Sequence, residues 1–180
     1  MVKKLLYETL QSIALALAIY TIVNYLLLQP NEVEGESMEP NLHNFEYLLT
    51  EKISYRFDKP ARGDIVVINS PQTDGKNYIK RTIGLPGETV SLNDGKVFIN
   101  DKQLIENYLP DTTMTFGGPL LAEGNKLTLR ENEYFVMGDN RGHSKDSRYI
   151  GPIDRKYISG RAWLIYWEFK YFGTVKKASY

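Results

Sequence analysis

Ser37 lies in the run Gly35-Glu36-Ser37-Met38-Glu39-Pro40, between a glycine and a proline, a setting that favours a tight, exposed turn able to present a hydroxyl. A serine hydroxyl is a poor nucleophile at neutral pH unless a base takes its proton, and that base is a histidine or a lysine held neutral. The chain has two histidines, His43 and His143, and no cysteine. Thiolate chemistry, disulfides, cysteine-based metal sites and a histidine-rich metal site are therefore excluded. Among the lysines, Lys80 stands inside the extended pattern Tyr78-Ile79-Lys80-Arg81-Thr82-Ile83. Alternation there puts Tyr78, Lys80 and Thr82 on one face and Ile79, Arg81 and Ile83 on the other. Taken singly, each residue also has an ordinary reading: a turn serine, and a lysine snorkelling from a half-buried strand.

A third polar cluster runs from Met137 to Arg148 as MGDNRGHSKDSR, dense in turn formers, charges and hydroxyls. Asp146 and Arg148 can pair and pin its conformation, and Ser144 can orient another polar side chain. The competing reading is a surface turn with a local salt bridge of little energetic weight.

At 180 residues the chain suits one domain with one core. Its 22 basic and 22 acidic residues leave no net field to recruit nucleic acid. From Leu10 to Leu28 it reads LQSIALALAIYTIVNYLLL, 19 residues without a charge. At about 1.5 Å per residue that length crosses a bilayer core as a helix. A buried core helix and a cleavable signal sequence are the alternatives. The stretch ends Tyr25-Leu26-Leu27-Leu28-Gln29-Pro30 without the small residues a cleavage site needs, so the anchor is expected to persist. Lys3 and Lys4 precede it, while Glu32, Glu34, Glu36 and Glu39 follow with no basic residue before Lys52. The positive-inside rule then makes residues 1–9 cytoplasmic, 10–28 the membrane span and 29–180 extracytoplasmic.

Beyond Pro30 the signals are extended. Asp64 to Asn69 and Tyr78 to Ile83 read as strands, and Glu88 to Leu104 as successive hairpins around Asn93-Asp94-Gly95 and Asn100-Asp101-Lys102. Leu127 to Leu129, Glu133 to Met137 and Gly160 to Tyr166 complete the set, with Asp111 to Asn125 a long excursion loop. The fold class is mainly β: a compact sheet or barrel-like domain with hairpins, preceded by one transmembrane helix. The aromatic run Trp163 to Phe172 suits either a headgroup layer or, in its first half, a core strand.

Taken together, these segments resemble the type I signal peptidases, in the short form with one N-terminal anchor found in Gram-positive bacteria. GESMEPNL at 35–42 is similar to that family's nucleophile box, GDIVV at 63–67 to its next strand, YIKRTIGLPG at 78–87 to its lysine box and GDNRGHSKDSR at 138–148 to its last box. Four matches in the family's order, from the anchor to about Trp167, are far more specific than one short serine motif. The resemblance implies Ser37 as nucleophile and Lys80 as general base, flanked by Met38 and Arg81. It implies that Ser144 orients the lysine by a hydrogen bond, that Asp146 and Arg148 form a structural ion pair, and that Gly138 sits close behind the site. The backbone N–H of Ser37 would be one oxyanion donor. Some family members carry a serine two residues before the nucleophile; Gly35 stands there, which leaves the second donor unassigned. Asn41, Gly142-His143 and Glu168 are further departures from the pattern, and they bear on loop geometry and specificity.

The implied substrate is the signal peptide of a preprotein, cut at the outer membrane surface through an acyl-enzyme, with small residues one and three positions before the cut. The segments around Val33 and around Tyr78 and Ile79, with Met38, are the expected walls for that extended peptide. The bilayer is the other expected partner; nucleic acid, a metal and a cofactor are not expected. A lysine base must be neutral, so the free value of about 10.4 has to fall to about 7 or 8, and desolvation is the common effect of that size. Ser144 and Arg81 are expected to contribute little to that shift. Two other classes remain: a membrane-tethered β-domain that binds a partner without chemistry, which leaves the four boxes unexplained, and a self-cleaving repressor relative, which requires a DNA-reading helical module where this chain has an apolar span.

Overall fold

The computed structural model describes residues 2–22, 26–69 and 76–178. Helix α1 spans Val2–Ile22, a stretch without proline or glycine and rich in leucine and alanine. Side chains from Val2 to Thr21 are exposed. The helix differs from the expected span at both ends: it starts before Lys3 and Lys4, and Leu28 already belongs to a strand. Residues 23–25 of the expected span lie outside the described residues. Among the described residues no helix is long and apolar enough to cross a membrane.

Strand β1, Leu28–Glu32, pairs antiparallel with β2, Tyr47–Glu51, in a register from Leu28 opposite Glu51 to Glu32 opposite Tyr47. Pro30 lacks an amide donor and is tolerated because β1 lies at a sheet edge. Neither strand was anticipated: the span reading absorbed Leu28, and β2 is five residues of plain alternation that bury Leu48 and Thr50. A single helical turn, α2, follows at Ser54–Phe57. The main sheet continues through β3, Ile65–Asn69, and β4, Asn77–Gly84. A smaller sheet holds β5, Thr89–Asn93, β6, Lys96–Ile99, β7, Lys102–Gln103, and β8, Lys126–Thr128, in the order β7-β6-β5-β8. Its two hairpins turn at Asp94-Gly95 and Asn100-Asp101, where all four residues have positive φ, the backbone that these residue types tolerate best.

The chain returns to the main sheet with β9, Glu133–Met137, crosses a polar loop and the short helix α3, Ser147–Ile150, and continues through β10, Ile153–Asp154. β11, Ile158–Trp167, and β12, Gly173–Thr174, finish it. The order is β1-β2-β11-β3-β4-β9-β10 with β12 on β11, so the described strands form an open path with β1 and β10 at its ends rather than a closed barrel. In place of the single core expected from length, the buried side chains form three clusters. The reason is visible in β4. Ile79 joins Val33, Met38 and Val67 in one cluster, Ile83 joins Val90 and Phe135 in a second, and Tyr78 packs against the third. A central strand covered on both faces is buried from Ile79 to Gly84 whatever the parity of the position.

Candidate active site

The Ser37 turn is built by local hydrogen bonding over an apolar footing. Val33 N–H donates to Glu46 O at 2.8 Å and Phe45 N–H to Val33 O at 2.9 Å, which closes the base of the loop. Within it, Glu39 N–H donates to Glu36 O at 3.1 Å and Leu42 N–H to Met38 O at 3.0 Å. Met38 and Leu42 are buried beneath and hold the turn to the sheet, leaving Ser37 half-buried above them. Gly35 adopts φ 85°, a left-handed conformation that a side chain would strain, and its N–H donates to Asn44 Oδ1 at 2.8 Å.

Lys80 reaches the turn from β4, where it stands opposite Val66 of β3. It is only 5% exposed. Its Nζ donates to Ser37 Oγ at 2.7 Å and to the carbonyl oxygen of Ile79 at 2.8 Å. No carboxylate pairs with it among the described residues. Burial therefore pulls the amine down from the ordinary lysine range to about 8, against the opposing pull of the negative charges of Asp146 and Asp139.

The neighbouring residue has the opposite treatment. Arg81, on the other face of β4, is 1% exposed. Its guanidinium donates to both oxygens of Asp139, at 2.8 and 2.6 Å, and to Gly63 O at 2.8 Å. Asn41 Nδ2 also donates to Asp139 Oδ2, at 2.9 Å, so this ion pair ties the Ser37 turn to the strand that carries Lys80. The expected pair of Asp146 and Arg148 is formed, bidentate with both bonds at 2.8 Å and both residues buried. Asp146 Oδ2 accepts the Gly138 N–H at 3.0 Å. Gly138 sits directly behind the site: a Cβ there would lie 2.3 Å from Ser144 Oγ and 2.4 Å from Ser37 O.

Ser144 departs from expectation. It is buried beside Gly138, yet its Oγ makes no hydrogen bond among the described residues. The lysine amine is instead oriented by the carbonyl of Ile79, its own strand neighbour, which lies within reach without any adjustment of the loop. Sequence reasoning also passed over Asn140. Its N–H donates to Ser37 O and its Nδ2 to Glu36 O, both at 3.1 Å, so one residue clamps the two carbonyls flanking the hydroxyl. Asp139 and Asn140 were in plain view as turn formers after β9. Nothing in their spacing says that their partners lie between 58 and 104 positions earlier.

In front of the site a cleft of about 290 Å³ is lined by Val33, Met38, Tyr78 and Ile79, with Ser37 and Lys80. All four expected wall residues are thus brought together. Asn77 Nδ2 donates to Asn31 Oδ1 at 3.0 Å and links the two walls at the end away from Ser37. The histidines stand apart: His43 Nδ1 is 2.6 Å from Glu39 Oε2 and lines a separate cavity, and His143 is exposed and does not line the cleft. With a hydroxyl on a fixed turn, a buried amine against it and an apolar cleft alongside, the arrangement can do acyl transfer with a lysine base.

Comparison with known proteins gives the family. The family model described as signal peptidase, peptidase S26, matches residues 6–167. A signal peptidase I of Bacillus licheniformis is 38% identical over 173 residues, covering 93% of this chain and 91% of the relative. Signal peptidase I S of Bacillus subtilis is 35% identical over 175 residues, covering 93% and 92%. Signal peptidase I of Leptolyngbya laminosa is 35% identical over 177 residues, covering 94% and 84%.

Proposed function

The chain belongs to the signal peptidase family, peptidase S26, serine proteases that remove signal peptides, and on that premise we propose that Ser37 and Lys80 carry the hydrolysis. The observation that carries this reading is the 2.7 Å contact between the Lys80 amine and Ser37 Oγ, made by a lysine whose burial brings it to about 8. Neutral Lys80 takes the proton of Ser37 as Oγ attacks the carbonyl carbon of the peptide bond. The tetrahedral oxyanion points at the Ser37 N–H, which none of the turn's own hydrogen bonds uses. Lys80 then passes its proton to the leaving amine, which becomes the N-terminus of the mature chain, and the acyl-enzyme remains on Oγ. Water, deprotonated by Lys80, attacks that ester; Lys80 returns the proton to Ser37 Oγ as the ester bond breaks, and the signal peptide leaves with a carboxyl end. Arg81, Asp139, Asp146, Arg148 and Gly138 hold the geometry, and Ser144 offers a second acceptor for the amine after a side-chain rotation.

An extended peptide lying between the segments of Val33 and of Tyr78 and Ile79 presents alternate side chains to the same wall. Met38 and Ile79, both buried and lining the cleft, are the walls against which small side chains one and three positions before the cut would rest. A non-catalytic β-domain has no use for a buried lysine amine held against a serine hydroxyl. Cleavage of a preprotein by a detergent extract of the native chain, set beside Ser37→Ala, is the deciding experiment. Equal cleavage by the two sinks the assignment.

We further propose that, of the expected division 1–9, 10–28 and 29–180, the apolar part of α1 from Leu10 onward is the membrane anchor, that its outer boundary falls before Leu28 of β1, and that the β-domain lies on the outer face. This is supported by α1, whose large apolar side chains from Val2 to Tyr20, among them Leu6, Leu10, Ile13 and Leu17, are more than half exposed. Exposed Trp163, Trp167, Phe169 and Phe172 suit a headgroup layer, although β11 also buries Ala162 and Ile165 as a core strand does. The full chain should stay with the membrane pellet through alkaline carbonate washing; release into the supernatant contradicts the anchor.

A further inference from the structure

The connection from β7 to β8, residues 104–125, holds no helix or strand, and none of it lines the cleft in front of Ser37 and Lys80. Yet it supplies partners to Arg81, Arg141 and Arg148, the three buried arginines among the described residues. Arg141, in the loop after β9, donates to Glu106 Oε2 at 2.9 Å and to Thr115 Oγ1 at 2.8 Å. Arg148 donates to Phe116 O at 3.0 Å, and its own carbonyl accepts the Leu120 N–H at 3.0 Å. The guanidinium of Arg81, on β4, lies over the ring of Tyr108, 4.1 Å from its centre.

These ties converge on Tyr108. Its hydroxyl donates to Glu106 Oε1 and accepts from Arg141 Nη2 at 3.1 Å. Arg141 Nε in turn donates to Gly138 O at 3.1 Å, and Arg141 follows Asn140, the residue that holds the carbonyls of Glu36 and Ser37. The ring of Tyr108 covers Arg81, the strand neighbour of Lys80. Its backbone carbonyl accepts from Asn41 Nδ2 at 2.9 Å, and Asn41 belongs to the Ser37 turn. Hydroxyl, ring and carbonyl of one residue therefore reach the loop of Gly138, the strand of Lys80 and the turn of Ser37. The 2.7 Å contact between Lys80 and Ser37 depends on how those segments stand to one another. A misplacement of about 1 Å can cost about 100-fold in rate.

Resting on the Ser37 and Lys80 reading, we propose that Tyr108 is a positioning residue for the reaction, which stands outside the cleft and sets the mutual geometry of Ser37, Lys80 and Gly138 through Asn41, Arg81 and Arg141. Its loss should lower kcat and leave KM nearly alone, because the cleft is lined by other segments. It should also reach the base. Lys80 faces Ser37 Oγ, the Ile79 carbonyl and the ring of Tyr78, with Glu32, Glu34, Lys76 and Lys145 along the open cleft. The charges of Asp146 and Asp139 act on it from behind, each paired, with Arg148 and with Arg81. Loosening Arg81 bares the charge of Asp139 and admits water around the amine, and both effects favour the protonated form.

The test compares the native full chain in detergent with Tyr108→Leu, Tyr108→Phe and Ser37→Ala on one preprotein, each variant checked for folding by a thermal melt. Tyr108→Leu should lose roughly 10- to 100-fold in kcat with KM within about twofold. Its pH profile of kcat/KM should move upward by about half a unit or more. Tyr108→Phe keeps the ring and the carbonyl, so it should lose only about two- to tenfold in kcat, the worth of one hydrogen bond, and hold the native profile. A merely structural role lowers the amount of folded enzyme and does not displace the profile. Native kcat in Tyr108→Leu, or a loss that leaves its profile in place, overturns the proposal, while an inactive Ser37→Ala beside it keeps the dyad. Should Tyr108→Leu fail to fold, Tyr108→Phe decides alone, and native kcat there overturns the proposal. If Ser37→Ala cleaves as well as the native chain, both readings fall together.

Discussion

The two faces of strand β4 each bury a cation and treat it in opposite ways. On one, Arg81 is surrounded by acceptors: both oxygens of Asp139, the carbonyl of Gly63 and the ring of Tyr108, 4.1 Å from its guanidinium carbon. On the other, Lys80 is buried almost as deeply but meets, among the described residues, a hydroxyl, a carbonyl and, at 5.3 Å, the ring of Tyr78, with no carboxylate paired to it. Pairing keeps a buried guanidinium charged and turns it into a tie between segments, because removing either partner leaves an uncompensated charge. Withholding a partner makes the charged amine unfavourable and supplies a base near neutral pH. Adjacent residues of one strand are thus a strut and, in the proposed mechanism, a base, and the difference lies in where the loops around them put carboxylates.

The sharpest way to break this contrast is to make the base behave like the strut. Lys80→Arg should fold and should lose about 10²- to 10⁴-fold or more in kcat, because a guanidinium keeps its proton at every accessible pH. Initial rates of preprotein cleavage, measured beside a thermal melt, decide it; an active variant means that another group is the base. Removing the strut should act on stability first. Asp139→Ala leaves Arg81 buried without its partner and frees Asn41, and should cost about 3–5 kcal/mol in a denaturant titration. A change below about 1 kcal/mol would show that water or a rearranged loop replaces the carboxylate.

The pH dependence sharpens the same comparison. With Lys80 at about 8, kcat/KM should rise with pH through that value and fall about tenfold per pH unit well below it, as the base becomes protonated. A rate that climbs only near pH 10, the range of free lysine, would contradict the role of burial. The smallest effect belongs far from β4. Lys126 and Asp101 in the smaller sheet meet at 2.7 Å, but their side chains are 58% and 69% exposed. Lys126→Ala should change stability by no more than about 1 kcal/mol and leave the pH profile in place.

The sequence by itself determined the local features. The Asp94-Gly95 and Asn100-Asp101 turns, the strands β3, β4 and β9, and the glycine-to-proline turn at Ser37 all follow from residue types within a few positions of one another. Four short segments in order point to Ser37 and Lys80 through their resemblance to the family's boxes. What it could not determine was the company each residue keeps at long range. Nothing near Asn140 says that it clamps Glu36 and Ser37, and nothing near Asn41 says that it reaches Asp139. The apolar run after Leu10 hid the strand that begins at Leu28, because only pairing with Tyr47–Glu51 makes those residues extended. Alternation along β4 marked Lys80 and Arg81 as lying on opposite faces, but whether each face held a carboxylate was decided by loops some sixty residues away in sequence. Burial and charge pairing are properties of the packed chain, and they are what separates a structural cation from a base.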